Sequence, residues 1–438
     1  MSESVPTDVD SAQPQLPDAE PPKGALATIF LVVLIDLMGF GIIIPLLPFY
    51  VTDMQHNSIL VAVLFSIFSV FQFIGSPILG ALSDRIGRRP VLAFSQFGSA
   101  LGYLLLGLAT VASFHFSPVV MMGIVYASRI IDGFTGGNIS TAQAYISDVT
   151  TPKNRARGMG LIGAAFGIGF TFGPFLGGML GHFNQSWPGY AAALMSLTAG
   201  ILTLRKLPES RTHKPTEAEA WLHPAKFRPI LRNRVLMELM VISFCLMAAF
   251  VMMESTIGLF LNRVFGWERL GTGLYFGYAG IIIAVVQGGL IRRLTRIWGD
   301  WPLAITGPLL VAVGMCVYML IGYTHGFAIC VVLLMIAGAV NATGRSLQGP
   351  TISSLISKVS DQNQQGVVFG FYSGLSSLAR IVGPIIAGLA YPYLRNTGQF
   401  LTASIIALAM GFWLMGLRRS TPGDETQAPV VEHEMQGM

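Results

Sequence analysis

Residues 80–89 read Gly-Ala-Leu-Ser-Asp-Arg-Ile-Gly-Arg-Arg, a charged stretch between two long apolar runs at 59–80 and 90–112. Gly80 and Gly87 lack a Cβ atom and therefore permit a tight turn between two helices. Asp84 can pair with a basic neighbour or with a helix N-terminus, and the arginines suit an anionic membrane surface. The stretch predicts a short, tight loop that joins two helices at the edge of a bilayer.

Apolar runs of the same kind occupy most of the chain. Hydrophobic residues make up 53% of the sequence and charged residues 11%, and the mean hydropathy is +0.62. A soluble protein carries about 25% charged residues. Each run approaches the ~20 residues that cross the hydrocarbon layer, where a helix satisfies its own backbone. The runs lie at 26–50, 59–80, 90–112, 119–142, 158–180, 187–206, 235–262, 273–294, 303–323, 327–349, 366–390 and 398–417. We therefore predict an all-α membrane protein with twelve transmembrane helices.

The longest internal loop divides these runs into six and six. Asn154 precedes the pair Gly173-Pro174 by 19 residues in the fifth run, and Asn363 precedes Gly383-Pro384 by 20 in the eleventh. Such repeated halves are typical of secondary transporters. We predict a disordered tail at 1–25, a six-helix half at 26–206, a linker at 207–234, a second six-helix half at 235–418 and a disordered tail at 419–438.

Basic residues are concentrated in alternate loops. The opposite set of loops holds only Arg263, Arg269 and Arg395. The positive-inside rule then places both termini, the linker and the loop at 80–89 in the cytoplasm. The formal charge of +5 mostly reflects this asymmetry, and we expect no nucleic-acid partner.

Six charged residues lie inside the apolar runs, at least four residues from either end. They are Asp36, Asp132, Glu254, Arg129, Arg345 and Arg380. An ionised side chain at bilayer depth is costly, so such residues usually line a cavity or pair with each other. Buried charges across the middle of a membrane protein indicate transport.

Two arrangements of the charges in the first half are open. Asp36 lies about eleven residues from the start of its run, or roughly 16 Å at 1.5 Å per residue. Arg129 is at a similar depth, about ten residues from the opposite surface, so the two side chains can face each other near the midplane. Alternatively, Arg129 can pair with Asp132 in its own helix, since residues three apart meet.

Polar residues also recur at helical spacing, which places them on one face of each run. These faces are predicted to line a substrate cavity, and hydrogen bonding between helices is the alternative interpretation. They comprise Arg129, Asp132, Gly136, Ser140 and Gln143 in the fourth run, Asn341, Arg345 and Gln348 in the tenth, and Tyr372, Ser376 and Arg380 in the eleventh.

Three stretches resemble motifs of the major facilitator superfamily. The loop at 80–89 is similar to its signature between helices 2 and 3, residues 129–133 resemble its Arg-x-x-x-Gly motif, and residues 169–178 resemble its antiporter motif. Residues 35–48 are similar to the first helix of the tetracycline/proton antiporters. The resemblance implies a fold in which spans 1, 4, 7 and 10 line the central cavity.

The resemblance also implies roles for two sets of residues. The gating residues would be Gly80, Asp84, Arg85, Gly87, Arg88 and Arg89. The antiporter-like motif would comprise Gly169, Gly173, Pro174, Gly177 and Gly178. Its glycines predict a sealed seam between the halves that prevents ion leak, or ordinary close packing of small residues.

The chain departs from the family pattern at three places. Position 132 is acidic, whereas the Arg-x-x-x-Gly motif usually carries an uncharged residue there. Residues 253–256 look closer to eukaryotic relatives that carry organic anions. Residues 289–294, the counterpart of the loop at 80–89, contain no aspartate. These departures weigh against tetracycline itself as the substrate.

We therefore expect a proton-coupled antiporter that exports a small amphipathic organic compound or drug across a bacterial inner membrane. Asp36 is the first candidate for proton coupling, followed by Glu254 and Asp132. One alternative is an uptake carrier or facilitator for organic anions, in which Arg345 or Arg380 binds a substrate carboxylate. A non-transporting receptor or sensor on the same scaffold is another.

Other classes of function lack support in the sequence. No nucleophile–base constellation indicates an enzyme, and no His/Cys cluster has the spacing of metal ligands. We expect no cofactor and no metal. Protons, a small-molecule substrate and the surrounding lipid are the expected partners, and the resemblance implies a monomer.

Overall fold

The computed structural model describes residues 24–50, 58–112, 117–150, 152–210, 232–360 and 365–420. These contain 12 helical segments long and apolar enough to cross a membrane, as predicted, and no β-strand. The segments are α1 (Ala25–Tyr50), α2 (Ser58–Ile86), α3 (Arg88–Ala112), α4 (Pro118–Val149), α5 (Pro152–Phe183), α6 (Trp187–Lys206), α7 (Arg234–Phe265), α8 (Arg269–Trp298), α9 (Asp300–Ile321), α10 (Phe327–Val359), α11 (Gln365–Ala390) and α12 (Gly398–Ser420). Most residues of the predicted tails and linker lie outside the described residues.

Several helices continue beyond the apolar runs that predict them. α2 reaches Ile86 and α10 reaches Val359, because hydropathy marks only the part of a helix that contacts hydrocarbon. The prediction that Gly80 forms part of the turn is therefore wrong, since this residue lies inside α2. The turn uses Gly87, whose φ of 106° is in the region that favours glycine.

Local changes of helix type interrupt three of the segments. In α1 a 3₁₀ turn spans Ile44–Leu46 and contains Pro45, which has no backbone N–H to donate. A second 3₁₀ turn spans Gly136–Asn138 in the middle of α4. In α8 a π-helical turn covers Val286–Leu290. The first two interruptions lie close to the buried charges of the first half.

The helices pack as two bundles, α1–α6 and α7–α12. In the first, α1 packs against α5 and α6, and α3 packs against α4 and α6. In the second, α7 packs against α11 and α12, and α9 packs against α10 and α12. The bundles meet through α2 with α11 and through α5 with α8. Shifting each helix number by six exchanges these two contacts, as expected for two repeated halves.

The two membrane faces differ in how the halves touch. We call the face that holds Gly87 the Gly87 face and the opposite one the far face. Toward the far face, Ser58 Oγ donates to the Gly388 carbonyl at 3.2 Å. Nearer the middle, Ser66 Oγ donates to the Ile381 carbonyl at 2.9 Å. These bonds join α2 to α11 and hold the halves together on the side remote from the charged loop.

The contact between α5 and α8 depends on glycine. A Cβ atom at Gly273 would lie 2.5 Å from the Cα of Gly178, a separation that side chains do not tolerate. Thr171 Oγ1 continues this contact by donating to the Gly280 carbonyl at 3.1 Å. The backbones of the two halves therefore approach as closely as glycine permits.

Candidate substrate cavity and proton site

A cavity of about 210 Å³ lies between the two halves. Its wall combines an aromatic lining with four charged side chains, Arg129, Glu254, Arg345 and Arg380. The phenylalanines of the lining are Phe40, Phe65, Phe68, Phe166, Phe170 and Phe250. Apolar walls with a few convergent polar groups are typical of small-molecule sites.

The second half supplies a cluster of one carboxylate and two guanidinium groups. Glu254 on α7 interacts electrostatically with Arg380 on α11 and with Arg345 on α10. The Cζ atom of Arg345 is 3.9 Å from the ring centroid of Phe250, a cation–π contact. Tyr372 also lies within electrostatic range of both arginines. The structure thus brings together four of the residues that the sequence singles out.

In the first half, the structure has Arg129 and Asp132 paired within α4. Nη1 of Arg129 lies 3.1 Å from Oδ2 of Asp132, and both side chains are almost fully buried. This is an ion pair by distance, but its angles are not those of a hydrogen bond, and Nη2 of Arg129 has no hydrogen-bond partner among the described residues. Of the two arrangements considered above, the structure has the one in which residues three apart in a helix meet.

Asp36 and Asp132 share a second, smaller cavity of about 20 Å³, roughly the space of one water molecule. Arg380 of the other half lines this chamber as well as the larger cavity, so the two are adjacent. Asp36 interacts with the side chains of Gln96 and Asn138 and with the charge of Asp132. The chamber thus brings two of the three predicted proton-coupling residues together.

Sequence reasoning missed the contribution of α3 to this chamber. Ser99 and Tyr103 line it and interact with Asp132, and Gln96 interacts with Asp36. All three side chains are buried. The three residues are spaced by three and four positions, which places them on one face of a helix. This polar face is visible in the sequence, but α3 is not one of the spans that the resemblance places around the cavity.

Several predicted cavity residues lie elsewhere. Ser140 Oγ lies 3.3 Å from the Ser76 carbonyl of α2, a contact between helices, and Gln143 is exposed. Ser376 Oγ donates to the Tyr372 carbonyl of its own helix. Hydrogen bonding between helices therefore describes Ser140, whereas Ser376 bonds within its own helix. Gly136 lines the small chamber that adjoins the large cavity.

The polar face predicted for α10 is split between two neighbours. Asn341 and Gln348 are buried against α9, where they lie next to Gly314 and Gly307. Arg345 points instead toward α7, where it meets Met247 and Phe250. Of the three residues, Arg345 lines the central cavity.

The loop at the Gly87 face forms a charge network within the first half. Asp84 pairs with Arg88 at 2.8 Å, and Arg88 also pairs with Asp148 at the end of α4 at 3.0 Å. Glu209 accepts hydrogen bonds from the backbone N–H groups of Arg88 and Arg89 and so caps the start of α3. Arg85 is exposed. The sequence did not predict the capping role of Glu209.

The glycines of the antiporter-like motif serve two contacts. Gly169, Gly173 and Gly177 face α1 of their own half, and Gly178 faces α8 of the other half. Gly41 on α1 is met by Gly173 and Pro174 of α5. The motif therefore packs closely both within its half and against the other half. That the contact between the halves prevents ion leak stays a prediction.

Comparison with known proteins agrees with this architecture. The family model of the Major Facilitator Superfamily matches residues 29–384. Tetracycline resistance protein, class C, from Escherichia coli is 30% identical over 404 residues, which cover 91% of this chain and 97% of the relative. Major facilitator superfamily domain-containing protein 10 from Homo sapiens is 28% identical over an alignment of 455 positions, gaps included, which covers 92% of this chain and 95% of that protein.

A solved structure agrees as well. The crystal structure of the human organic anion transporter MFSD10 (TETRAN) superposes with a TM-score of 0.66 at 25% identity, covering 91% of this chain and 100% of that one. The match to the family model covers most of the helical part of the chain and both of its halves. The chain belongs to the major facilitator superfamily of multi-pass membrane transporters.

Proposed function

We propose that this transporter is a proton-coupled antiporter that exports small amphipathic organic compounds by alternating access. The observation that carries the proposal is that Asp36 and Asp132 occupy a chamber next to an aromatic cavity, with Arg380 lining both. Burial disfavours a charged carboxyl group and a nearby guanidinium favours it, so a moving arginine can load and unload a proton. Rocking of the halves about the cavity would change these contacts.

The balance of charges in the two cavities favours antiport. Their linings hold three carboxyl groups and three guanidinium groups. With all six groups ionised, their charges sum to zero. When an arginine moves away, one negative charge remains in excess, and a proton and a cationic substrate then compete for it. Competition of this kind is what antiport needs. The proton-coupling roles of Asp36, Asp132 and Glu254 are part of this proposal.

A second candidate, a carrier of organic anions, is favoured by the second half of the cavity. There Arg345 and Arg380 face one carboxylate, Glu254, and the guanidinium of Arg345 makes a cation–π contact with Phe250. A planar carboxylate could bind such a guanidinium in a bidentate manner. The similar human structure is that of an organic anion transporter. In this candidate a proton adds positive charge and promotes anion binding, so both would move in the same direction.

Transport into proteoliposomes under imposed pH gradients tests the proposal. Ethidium, tetracycline and fluorescein would serve as cationic, zwitterionic and anionic probes. Antiport predicts that an acidic lumen drives accumulation of a probe. Anion–proton symport predicts that an acidic exterior drives accumulation of fluorescein. Flux that is unaffected by either gradient would contradict proton coupling, and absence of flux for all probes would favour a receptor.

The location of the protein is proposed on the same basis. We infer a bacterial inner membrane, with both termini and the Gly87 face in the cytoplasm, because basic residues are concentrated in the loops on that side. The bonds between α2 and α11 would then close the outer side in the conformation described here. We further propose that the protein works as a monomer.

A further inference from the structure

Tyr103 on α3 occupies a central position that the proposed mechanism does not yet use. Its side chain is 2% exposed, and it lines the chamber together with Asp36 and Asp132. The Cζ atom of Arg129 lies 5.6 Å from the centroid of its ring. The phenol also interacts with the carboxylate of Asp132 and lies within electrostatic range of Asp36. One side chain therefore contacts or faces all three charged groups of the first half.

The backbone of α1 is shaped to admit this tyrosine. A Cβ atom at Gly39 would lie 3.3 Å from Cε2 of Tyr103, and the Oγ atom of Ser196 on α6 would be 3.6 Å away. Because Gly39 lies three residues after Asp36, the tyrosine packs on the turn of α1 that carries this carboxyl group. Its ring thus fixes the distance between Asp36 on α1 and the ion pair on α4.

The other groups that face the chamber do not replace the phenol. α2 contributes Phe68 and Gln72, α5 contributes Phe166 and α11 contributes Arg380. Gln72 Nε2 is engaged with the Gly136 carbonyl at 3.1 Å. On α3, Ser99 is the other hydroxyl near Asp132, and it is also 3.3 Å from Thr135 Oγ1.

We propose that Tyr103 is a positioning residue that makes Asp36 and Asp132 act as one proton-binding unit. Its hydroxyl donates toward Asp132 and helps Arg129 to keep this carboxylate ionised. Asp36 is then the carboxyl group that accepts the proton. The proton moves to and from Asp36, and Tyr103 itself neither gains nor loses one. The inference rests on the proposed proton coupling and adds a residue to that site.

Replacing Tyr103 with Phe tests the inference, since it retains the ring over Arg129 and removes the hydroxyl. The measurement is the pH profile of probe exchange and of gradient-driven accumulation in proteoliposomes, using the probe that the wild type carries. Loss of one hydrogen bond to a charged group should move the profile by about one pH unit toward alkaline pH. The KM for the probe should remain unchanged, because the hydroxyl faces the chamber.

A double-mutant cycle separates positioning from a structural effect. If Tyr103 acts through Asp132, the double variant Tyr103→Phe with Asp132→Asn should have the same pH profile as Asp132→Asn alone. Tyr145→Phe is the matched control, since Tyr145 is also buried in the first half and should leave the profile unchanged.

Two different failures can be distinguished. If the wild type shows no response to pH gradients, the proposed proton coupling is wrong. If the wild type responds but Tyr103→Phe retains its pH profile, or if the two substitutions shift the profile additively, the positioning role of Tyr103 is wrong. A variant that does not fold would be recognised by its thermal unfolding in detergent, and Tyr103→Trp, which keeps an N–H donor, would then be assayed for the same profile.

Discussion

Nη1 of Arg129 lies 3.1 Å from Oδ2 of Asp132, so a buried guanidinium of the first half is balanced by an acid of its own helix. Asp36 lies on a neighbouring helix and lines the same chamber as Asp132. Among the described residues, no arginine of the first half lies at ion-pair distance from Asp36.

Removing one partner of the buried ion pair should destabilise the protein more than removing both. Asp132→Ala leaves Arg129 buried and uncompensated, which costs about 3–5 kcal/mol in comparable pairs. The double variant Arg129→Met with Asp132→Ala should regain most of the loss. Unfolding in detergent, followed by temperature or denaturant, measures both variants. A double variant that is as unstable as Asp132→Ala, or less stable, would contradict this prediction.

Asp36→Asn should abolish accumulation driven by a pH gradient while downhill exchange persists. The amide mimics the protonated acid, so the site can bind a probe but cannot exchange a proton. The comparison is between counterflow and gradient-driven flux in the same proteoliposomes. If the variant accumulates the probe as well as the wild type does, coupling resides at Glu254 or Asp132.

Glu254 and Arg345 should determine which charge the cavity prefers. Glu254→Gln removes the carboxylate of the second half and should weaken ethidium transport about tenfold, equivalent to about 1.4 kcal/mol, with a smaller effect on neutral compounds. Arg345→Gln should do the same for fluorescein. Asn341→Ala, which alters a residue packed against α9, is the control. Equal losses for all probes would indicate a structural or coupling role instead.

Asp84→Asn should reduce transport about tenfold by breaking the contact with Arg88 in the loop of the Gly87 face. If this network helps to close that face, the resting population should shift toward the conformation that is open there. Labelling of single cysteines on both faces measures the shift.

Asp300→Asn provides the control for the loop. Asp300 pairs with Lys358 at 2.9 Å on the same face in the second half, so its loss removes a comparable ion pair outside the motif. The proposed gate is wrong if cysteine accessibility in Asp84→Asn matches that of the wild type on both faces.

Gly273→Val should prevent the close approach of α5 and α8. The added side chain would collide with the Gly178 backbone, and overpacking of this kind costs about 1–3 kcal/mol. Transport should fall at least about tenfold, because closure of the far face is hindered. Gly288→Val is a matched control on the same helix, since no atom lies within 4 Å of its added Cβ. Similar flux in the two variants would contradict the seam.

Much of the fold follows from sequence patterns because bilayer thickness dictates helix length. The twelve spans require only hydropathy and length. Helical spacing allowed Arg129 to pair with Asp132, but the alternative of Asp36 facing Arg129 stayed open until the structure was known. The split of the α10 face was not predictable in this way, since Asn341 and Arg345 share a helical face by spacing but contact different helices. Tyr103 was missed because a tyrosine in an apolar run resembles a core residue until its neighbours on α1 and α4 are known.

The two contacts of α5 have a mechanical consequence. On one side its glycines fit against α1 next to Gly41, and on the other Gly178 fits against α8. α1 also carries Asp36, five residues before Gly41. α5 therefore lies between the helix of one half that carries Asp36 and the neighbouring helix of the other half. If the halves rotate about α5, as alternating access requires, the motion would be transmitted to Asp36 by direct helix contacts and not through a loop.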